Sequence, residues 1–566
     1  MTTMTGSRLI AEMLRGYGTT HVFYMPAILL GALAEMEDMP IRRIMTHGEK
    51  SAAYMADGYA RASGRPGICM AQQIGGSNLA AGLRDAYMAA SPVIALTGGP
   101  TVAAHYRHGY QEVEDHTQFE AVTKFNARVE HVSRLPDLLR QAFRAATTGA
   151  PGPVHLEIQG PHGHAAYASA ELEVLAEPRF ARTPPFRPVA DDADIRAALL
   201  LLAGAQRPLL VAGGGVTTSQ AREVARALAE RLSLPLATTL NAKGTLPENH
   251  PLAVGVTGLY SRACANRAVA EADVVFFIGS RTGGQTTVDW QVPARGTKVI
   301  QLDIAPEELG RNYPNSVSLA GDAQATLVRM LQLCEQQDTV DRGAWNARTR
   351  ELVAQWRAEF EPLRASDASP IRPERLCKEI SDVLPADGVV VSDTGHSGMW
   401  TGAMIELTQP GQRYYRCAGS MGWGFPGALG VQCALPDRTV VCFTGDGAFY
   451  YHLTELETAA RFGINLVVVV NNNSALNQEI PLWDAVYPGK SAANARVDDL
   501  WRMRPTNFAQ VAESFGCAGI RVEHPCELRG ALERAIALKK PVVVDVVTDV
   551  GAFAPKAWTP EVRRGV

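Results

Sequence analysis

One recurring unit constrains this chain more than anything else. Short apolar runs such as "PVIALTGG", "RPLLVAGGG", "KVIQLDI", "GVVVSD", "TVVCFTGDG", "INLVVVVNNN" and "PVVVDVVTD" each lead into Gly, Asp or Asn and then into a helix-like segment. A strand that is apolar at every position is buried on both faces, which is the habit of parallel sheets covered by helices. The pattern predicts an α/β protein built from doubly wound parallel sheets, with ligands at the carboxyl ends of the strands. At 566 residues the chain has room for three or four domains. Two stretches rich in Pro and polar residues, Tyr167–Ile195 and Glu359–Leu376, read as seams. They divide the chain into domains of about 1–165, 190–335 and 370–550, with a tail over 551–566. The outer two read as open α/β layers of similar size, and no short repeat is visible.

Several function classes fall away. The net charge is -4, with no basic stripe, so nucleic acid is not an expected partner. No run reaches 18 uncharged apolar residues, so no membrane span is expected. The N-terminal segment carries Glu12 and Arg15 on an amphipathic helix and lacks a signal peptide's apolar core. The 9 cysteines are scattered without a CxxC pair, which suits a reducing compartment and a cytoplasmic location.

The stretch Val440–Asn473 carries the chemistry. A strand ending in Gly445-Asp446-Gly447 sets one carboxylate at the sheet edge between two glycines. A helix-like segment follows from Ala448, and helix N-termini attract phosphate. The next apolar run delivers Asn471, Asn472 and Asn473. A hard cation such as Mg²⁺ takes about six oxygens in an octahedron. One carboxylate, one amide oxygen and one backbone carbonyl, completed by diphosphate oxygens, meet that need.

This spacing resembles the thiamine-diphosphate enzymes, in which the acid of a GDG turn is followed by a paired Asn. Asn473 stands 27 residues after Asp446. The resemblance implies Asp446 and Asn473 as side-chain metal ligands and Ala475 as a carbonyl ligand, with Asn472 in reserve if the register slips. Gly445, Gly447 and Ala448 would line the diphosphate. Arg42–Gly99, with "GYARASGRPG" inside it, is similar to the acetohydroxyacid (acetolactate) synthases and places Glu49 at the family's catalytic acid. That acid hydrogen-bonds the aminopyrimidine so that the thiazolium C2 proton can be removed. By the same likeness Gln111, in "YQEVEDHTQF", would lie beside the reacting centre. Met421, in "SMGWGFPGALG", would sit under the cofactor and keep it bent. Gly395, His396 and Ser397 would line the aminopyrimidine and diphosphate. In this family the acid-bearing domain of one subunit meets the diphosphate domain of another. A homodimer at least, usually a homotetramer, is therefore implied.

The departures bear on substrate. "FYMPAILLGAL" stands where the synthases have a Gly-rich turn, and Pro26, Ala27, Ile28 and Leu29 predict a stiffer, apolar wall. Gln72-Gln73 replaces small or hydroxyl residues. "FIGSRTGGQTTVDW" replaces a segment that contributes to flavin binding, so the central domain is left open to FAD, to the ADP part of coenzyme A, or to neither. After the metal ligands, "SALNQEIPLWDAVYPGK" offers Asn477, Gln478 and Glu479. Glu479 is read either as a proton shuttle or as an exposed first-turn acid. The expected activity is an acetolactate-synthase-like carboligase or decarboxylase on a 2-keto acid. A 2-hydroxyacyl-CoA lyase, with Lys556, Arg563 and Arg564 folding over an acyl-CoA, is the second reading. A non-catalytic cofactor-binding protein is the third.

Overall fold

The apolar runs become strands because none of their positions has to reach water. Val93–Gly99 and Pro208–Ala212 are buried throughout. The computed structural model describes residues 2–334, 340–487 and 495–560. Its strands form three six-stranded sheets, each parallel throughout. A short antiparallel ribbon pairs Thr2–Thr5 with Ser169–Leu172.

The first sheet runs, edge to edge, Arg42–Met45, His21–Tyr24, Gly67–Ala71, Val93–Gly99, Val154–Gln159, Phe125–Val129. Ranked by position in the chain, that order is 2-1-3-4-6-5. The third runs Arg413–Arg416, Val389–Ser392, Val440–Gly445, Val467–Asn472, Val542–Val547, Ala518–Val522. It has the same order, 2-1-3-4-6-5. The central sheet differs, at 3-2-1-4-5-6, from Ala253–Val256 at one edge to Val317–Ala320 at the other. That is the order of dinucleotide-type sheets.

Two helices fasten the outer units together. Glu49–Ser63 is made largely of small residues, and every position from Ser51 to Ala60 is buried. It packs on Gly424–Ala434, and the approach is backbone to backbone. A Cβ on Gly58 would lie 2.0 Å from the Gly427 carbonyl oxygen, and one on Gly430 would lie 1.9 Å from that of Met55. One apolar cluster therefore holds Ala52, Tyr54 and Leu83 of the first unit with Trp423, Leu429 and Val468 of the third. Burial of such surface is the main stabilising term, at roughly 25 cal/mol per Å².

The stretch Glu359–Leu376, read as a seam, is helical as far as Arg364, at the end of Gly343–Arg364, with Pro362 inside the helix. Among the described residues no helix is long and apolar enough to cross a membrane. Eight of the cysteines are buried, Cys526 is exposed, and none is in a disulfide.

Candidate active site

Asp446 begins the helix that follows Val440–Gly445 and is 3% exposed. Its Oδ1 accepts from the Gly447 N–H at 2.7 Å and its Oδ2 from the Ala475 N–H at 3.3 Å. Burial pushes its pKa up to about 6, against the lowering effect of those N–H bonds. Such a carboxylate gains from a positive partner. Asn473 lies on the segment that reaches Asp446, and its Oδ1 is buried without a donor. A buried acceptor without a partner is uncommon and calls for a ligand or ion. Asn472 is committed elsewhere: its amide donates to the Thr506 carbonyl at 2.9 Å and to Asp545 at 2.8 Å.

Ala475 sits opposite Arg502 in an antiparallel bridge whose flanking bonds are Leu476 N–H to the Trp501 carbonyl and Met503 N–H to the Ser474 carbonyl. In such a pair the N–H and C=O of the central residue point together, away from the neighbouring strand. The Ala475 N–H goes to Asp446, so its carbonyl faces the same side. The three oxygens from Asp446, Asn473 and Ala475 suit a hard cation. Among the described residues no three His, Cys, Asp or Glu side chains converge on a metal-sized site.

The neighbouring strand end supplies Asp393 and then Gly395, His396 and Ser397. Ser397 is buried, and its Oγ would be 3.5 Å from a Cβ on Gly445. His396 Nδ1 lies 2.8 Å from Asn477 Oδ1, and burial lowers its pKa. The Asn477 amide donates to the carbonyls of Val550 and Ala552, at 3.1 and 3.0 Å. The start of the C-terminal tail is thereby held over this corner, with Phe553 edge-on to His396. Lys556 is exposed, while Arg563 and Arg564 lie outside the described residues, as does the end of the Ser474–Lys490 stretch. Glu479 closes the turn Asn477–Glu479 and is half-exposed.

The first unit presents a second group of residues. Glu49 starts its helix, half-exposed, and accepts from Asn78 Nδ2 at 3.2 Å. A Cβ on Gly75 would come within 2.5 Å of the Glu49 carboxylate, so only glycine lets that acid lie flat there. Gln111 has φ +62, and its Oε1 is buried without a donor. Gln73 is buried and donates to the Val113 carbonyl at 3.3 Å. The turn expected to form an apolar wall does something else. Ile28 and Leu29 are fully buried in the core of the first unit, so their side chains form no wall. Ala27 and Leu29 adopt φ +74 and +48, the left-handed backbone that glycine would take at less cost.

Met421 lines a cavity of about 310 Å³ with Lys50, Tyr54, Arg84 and Tyr451. The start of the Glu49 helix is tied to the segment after Asp446 in the same chain: Ser51 Oγ is 2.9 Å from His452 Nδ1, and the His47 N–H donates to Glu455 at 3.0 Å. A separate cavity of about 270 Å³ opens at the carboxyl edge of the central sheet, between Gly214, Gly279, Arg281 and Asp303. A smaller one, with Tyr260, Gln285, Arg416 and Ala418 on its wall, continues toward the Met421 loop. Asp393 was not singled out from sequence, although its place at the end of "GVVVSD" marks it as a strand-end acid.

Comparison with known proteins adds a second line. Residues 4–119 match the N-terminal TPP binding domain of thiamine pyrophosphate enzymes, 195–330 the central domain and 393–546 the C-terminal TPP binding domain. A probable acetolactate synthase large subunit of Methanocaldococcus jannaschii is 32% identical, covering 98% of this chain and 93% of its own length. Acetolactate synthase isozyme 1 large subunit of Escherichia coli is 30% identical, over 96% of this chain and 94% of its own. The acetolactate synthase large subunit of Corynebacterium glutamicum is 30% identical, over 96% and 87%.

Proposed function

Because the chain belongs to the thiamine pyrophosphate enzyme family in all three of its domains, we propose that it is a thiamine-diphosphate-dependent carboligase or decarboxylase of 2-keto acids, of the acetolactate synthase kind. The observation that supports this most is the end-to-end likeness to acetolactate synthase large subunits, joined to a dehydrated Asp446 beside an unpartnered Asn473 oxygen. The lyase and the non-catalytic readings gain no support from these relatives.

Bound thiamine diphosphate would supply a carbanion at its thiazolium C2 and a sink for the electrons of the C–C bond that is made or broken. The protein's own residues do the rest. Asp446, Asn473 and the Ala475 carbonyl would hold Mg²⁺ and so anchor the diphosphate, with Gly445, Gly447 and Ala448 giving close access to backbone. Gly395, His396 and Ser397 border the same end. Glu49 would share a proton with the aminopyrimidine ring, and Asn78, bonded to its carboxylate, fixes its orientation. Met421 would support the thiazolium, and Gln111 keeps a buried amide oxygen without a donor that substrate would satisfy. Glu479 remains a candidate proton carrier at the rim. The half-exposed Glu49 fits a site completed by a second copy of the chain, so a homodimer at least, and a homotetramer by family habit, is proposed. The central cavity is of a size for the nucleotide part of FAD or of coenzyme A, and Asp303, at the carboxyl end of Lys298–Asp303, lies on its wall. Buried, unbridged cysteines fit a cytoplasmic setting.

The test is direct. Purified protein with thiamine diphosphate and Mg²⁺ is given pyruvate, then a 2-hydroxyacyl-CoA. Acetolactate or decarboxylated product from pyruvate is expected. Thioester cleavage with no turnover of pyruvate would replace this reading with the lyase. A yellow chromophore in the purified protein would identify the central ligand as flavin.

A further inference from the structure

Two buried carboxylates on different domains grip the loop that carries Met421. Asp85 lies on the helix Gly76–Met88 of the first unit and is 0% exposed. Its Oδ1 accepts from the Ala418 N–H at 2.8 Å, and its Oδ2 from the N–H groups of Gly419 at 3.2 Å and Ser420 at 3.0 Å. Three consecutive backbone donors on one carboxylate form an anion-binding concavity, here filled by a side chain of another domain. On the far side of Met421, Asp393 accepts from Gly422 at 3.1 Å and Gly424 at 2.6 Å. The loop is thus fixed immediately before and immediately after its methionine.

Asp85 is itself held. Arg61 Nη2 donates to its Oδ1 at 2.9 Å, while Arg61 Nε donates to Asp57 at 2.7 Å. Asp57 in turn accepts from the Trp423 indole at 2.9 Å, and the Arg61 guanidinium lies 4.6 Å from the Trp423 ring centre. Asp57 and Arg61 lie on the helix that Glu49 begins, and Asp85 on the helix that carries Asn78, the partner of Glu49. Burying an ion pair is weak evidence for stability, since desolvation offsets much of the attraction. Aligning three donors of one loop is a geometric task, and a fully bonded carboxylate does it well.

We propose that Asp85 is a positioning residue for the chemistry: it sets the height of the Met421 loop and so the seat of the thiazolium. The inference rests on the thiamine-diphosphate reading above. It makes the first unit serve its own chain's loop through Asp85, in addition to presenting Glu49.

Two variants test it. D85N keeps the shape and replaces one acceptor oxygen with a donor; D85E keeps the charge for Arg61 and displaces the oxygens. In the protein without cofactor, amide hydrogen exchange of a peptide covering residues 415–425 should quicken at least tenfold in either variant, with strand peptides unchanged. With thiamine diphosphate and Mg²⁺, cofactor affinity should stay within about threefold, while deuterium exchange at C2 and kcat both fall tenfold or more with KM little changed. In a cycle with M421A, the double variant should lose no more than the worse single one, because Asp85 acts through Met421. If D85N does not fold, D85E decides the matter. A folded variant with loop exchange, C2 exchange and kcat within twofold of the parent overturns the proposal, as does full additivity with M421A. If the parent protein itself neither binds thiamine diphosphate nor exchanges C2, the functional reading has failed instead.

Discussion

The first and third sheets share one strand order and use it differently. In each, the second strand in chain order is an edge strand leading into one of the two helices that cross at Gly58 and Gly430. In the first unit that connection ends in Glu49; in the third it carries Met421. The third strand then diverges more. In the third unit it delivers Asp446 to a site of hard oxygens, while in the first it delivers Gln72 and Gln73 and a turn shaped around the Glu49 carboxylate. Equivalent places in one topology thus give a half-exposed acid on one side and, on the other, the oxygens proposed above to hold a cation and diphosphate. The central sheet, with a different order, contributes neither and keeps a separate cavity. Topology chooses where a ligand can sit; a few residues at strand ends choose what it is.

The sharpest way to break this division of labour is Glu49→Gln. Loss of the acid should cut kcat by about 10²–10⁴ while the cofactor still binds, since general acid–base groups contribute on that scale. Calorimetric titration beside steady-state rates checks both halves, and near-normal turnover would refute the proton-holding role. Next in size, Asp446→Ala should weaken binding of thiamine diphosphate with Mg²⁺ by about 10²-fold, roughly 2.7 kcal/mol. If its affinity is unchanged, the cradle has been assigned to the wrong sheet.

The shared crossing is probed by Gly58→Val. Side-chain atoms there meet the Gly427 backbone, so a loss of about 1–3 kcal/mol is expected in urea denaturation. A neutral result would mean that the two helices are not packed this closely. The most gradual effect, spread over several pH units, is electrostatic. Burial raises Glu157 of the first sheet from 4.5 to about 7 despite Arg128, and Asp393 of the third from 3.8 to about 6 despite three N–H bonds. Both folded-state values lie above the unfolded ones, so the folded protein binds these protons more tightly. Stability should therefore fall as pH rises from about 4 to 7, by on the order of 1 kcal/mol per pH unit for each group at most. E157Q should flatten the slope between pH 5 and 7. An unaltered slope would show that Glu157 titrates normally.

Much of this was legible in the sequence. Unbroken apolar runs gave away buried parallel strands, and the spacing from Asp446 to Asn473 picked out two residues whose segments meet at the Ala475 N–H bond to Asp446. Other parts were not. Asp85 in "GLRDAY" looks like an ordinary polar residue on a helix, and its loop partners lie more than 330 residues away in sequence. The left-handed turn at Ala27 and Leu29 was hidden because neither residue is a Gly, Asn or Asp, the types that advertise such backbone. The Pro-rich seam was legible only to within a few residues: the helix passes Pro362 and stops at Arg364. The common strand order of the outer sheets left no trace, because sheets of one topology need only matching patterns of burial.

Where two helices touch main chain to main chain, natural variation has little freedom. Any residue larger than glycine at either crossing point must move a whole helix, and with it a functional group in each unit. Relatives of this protein should accordingly explore new substrates through the loops that precede those helices, while the girth of the helices stays frozen across the lineage.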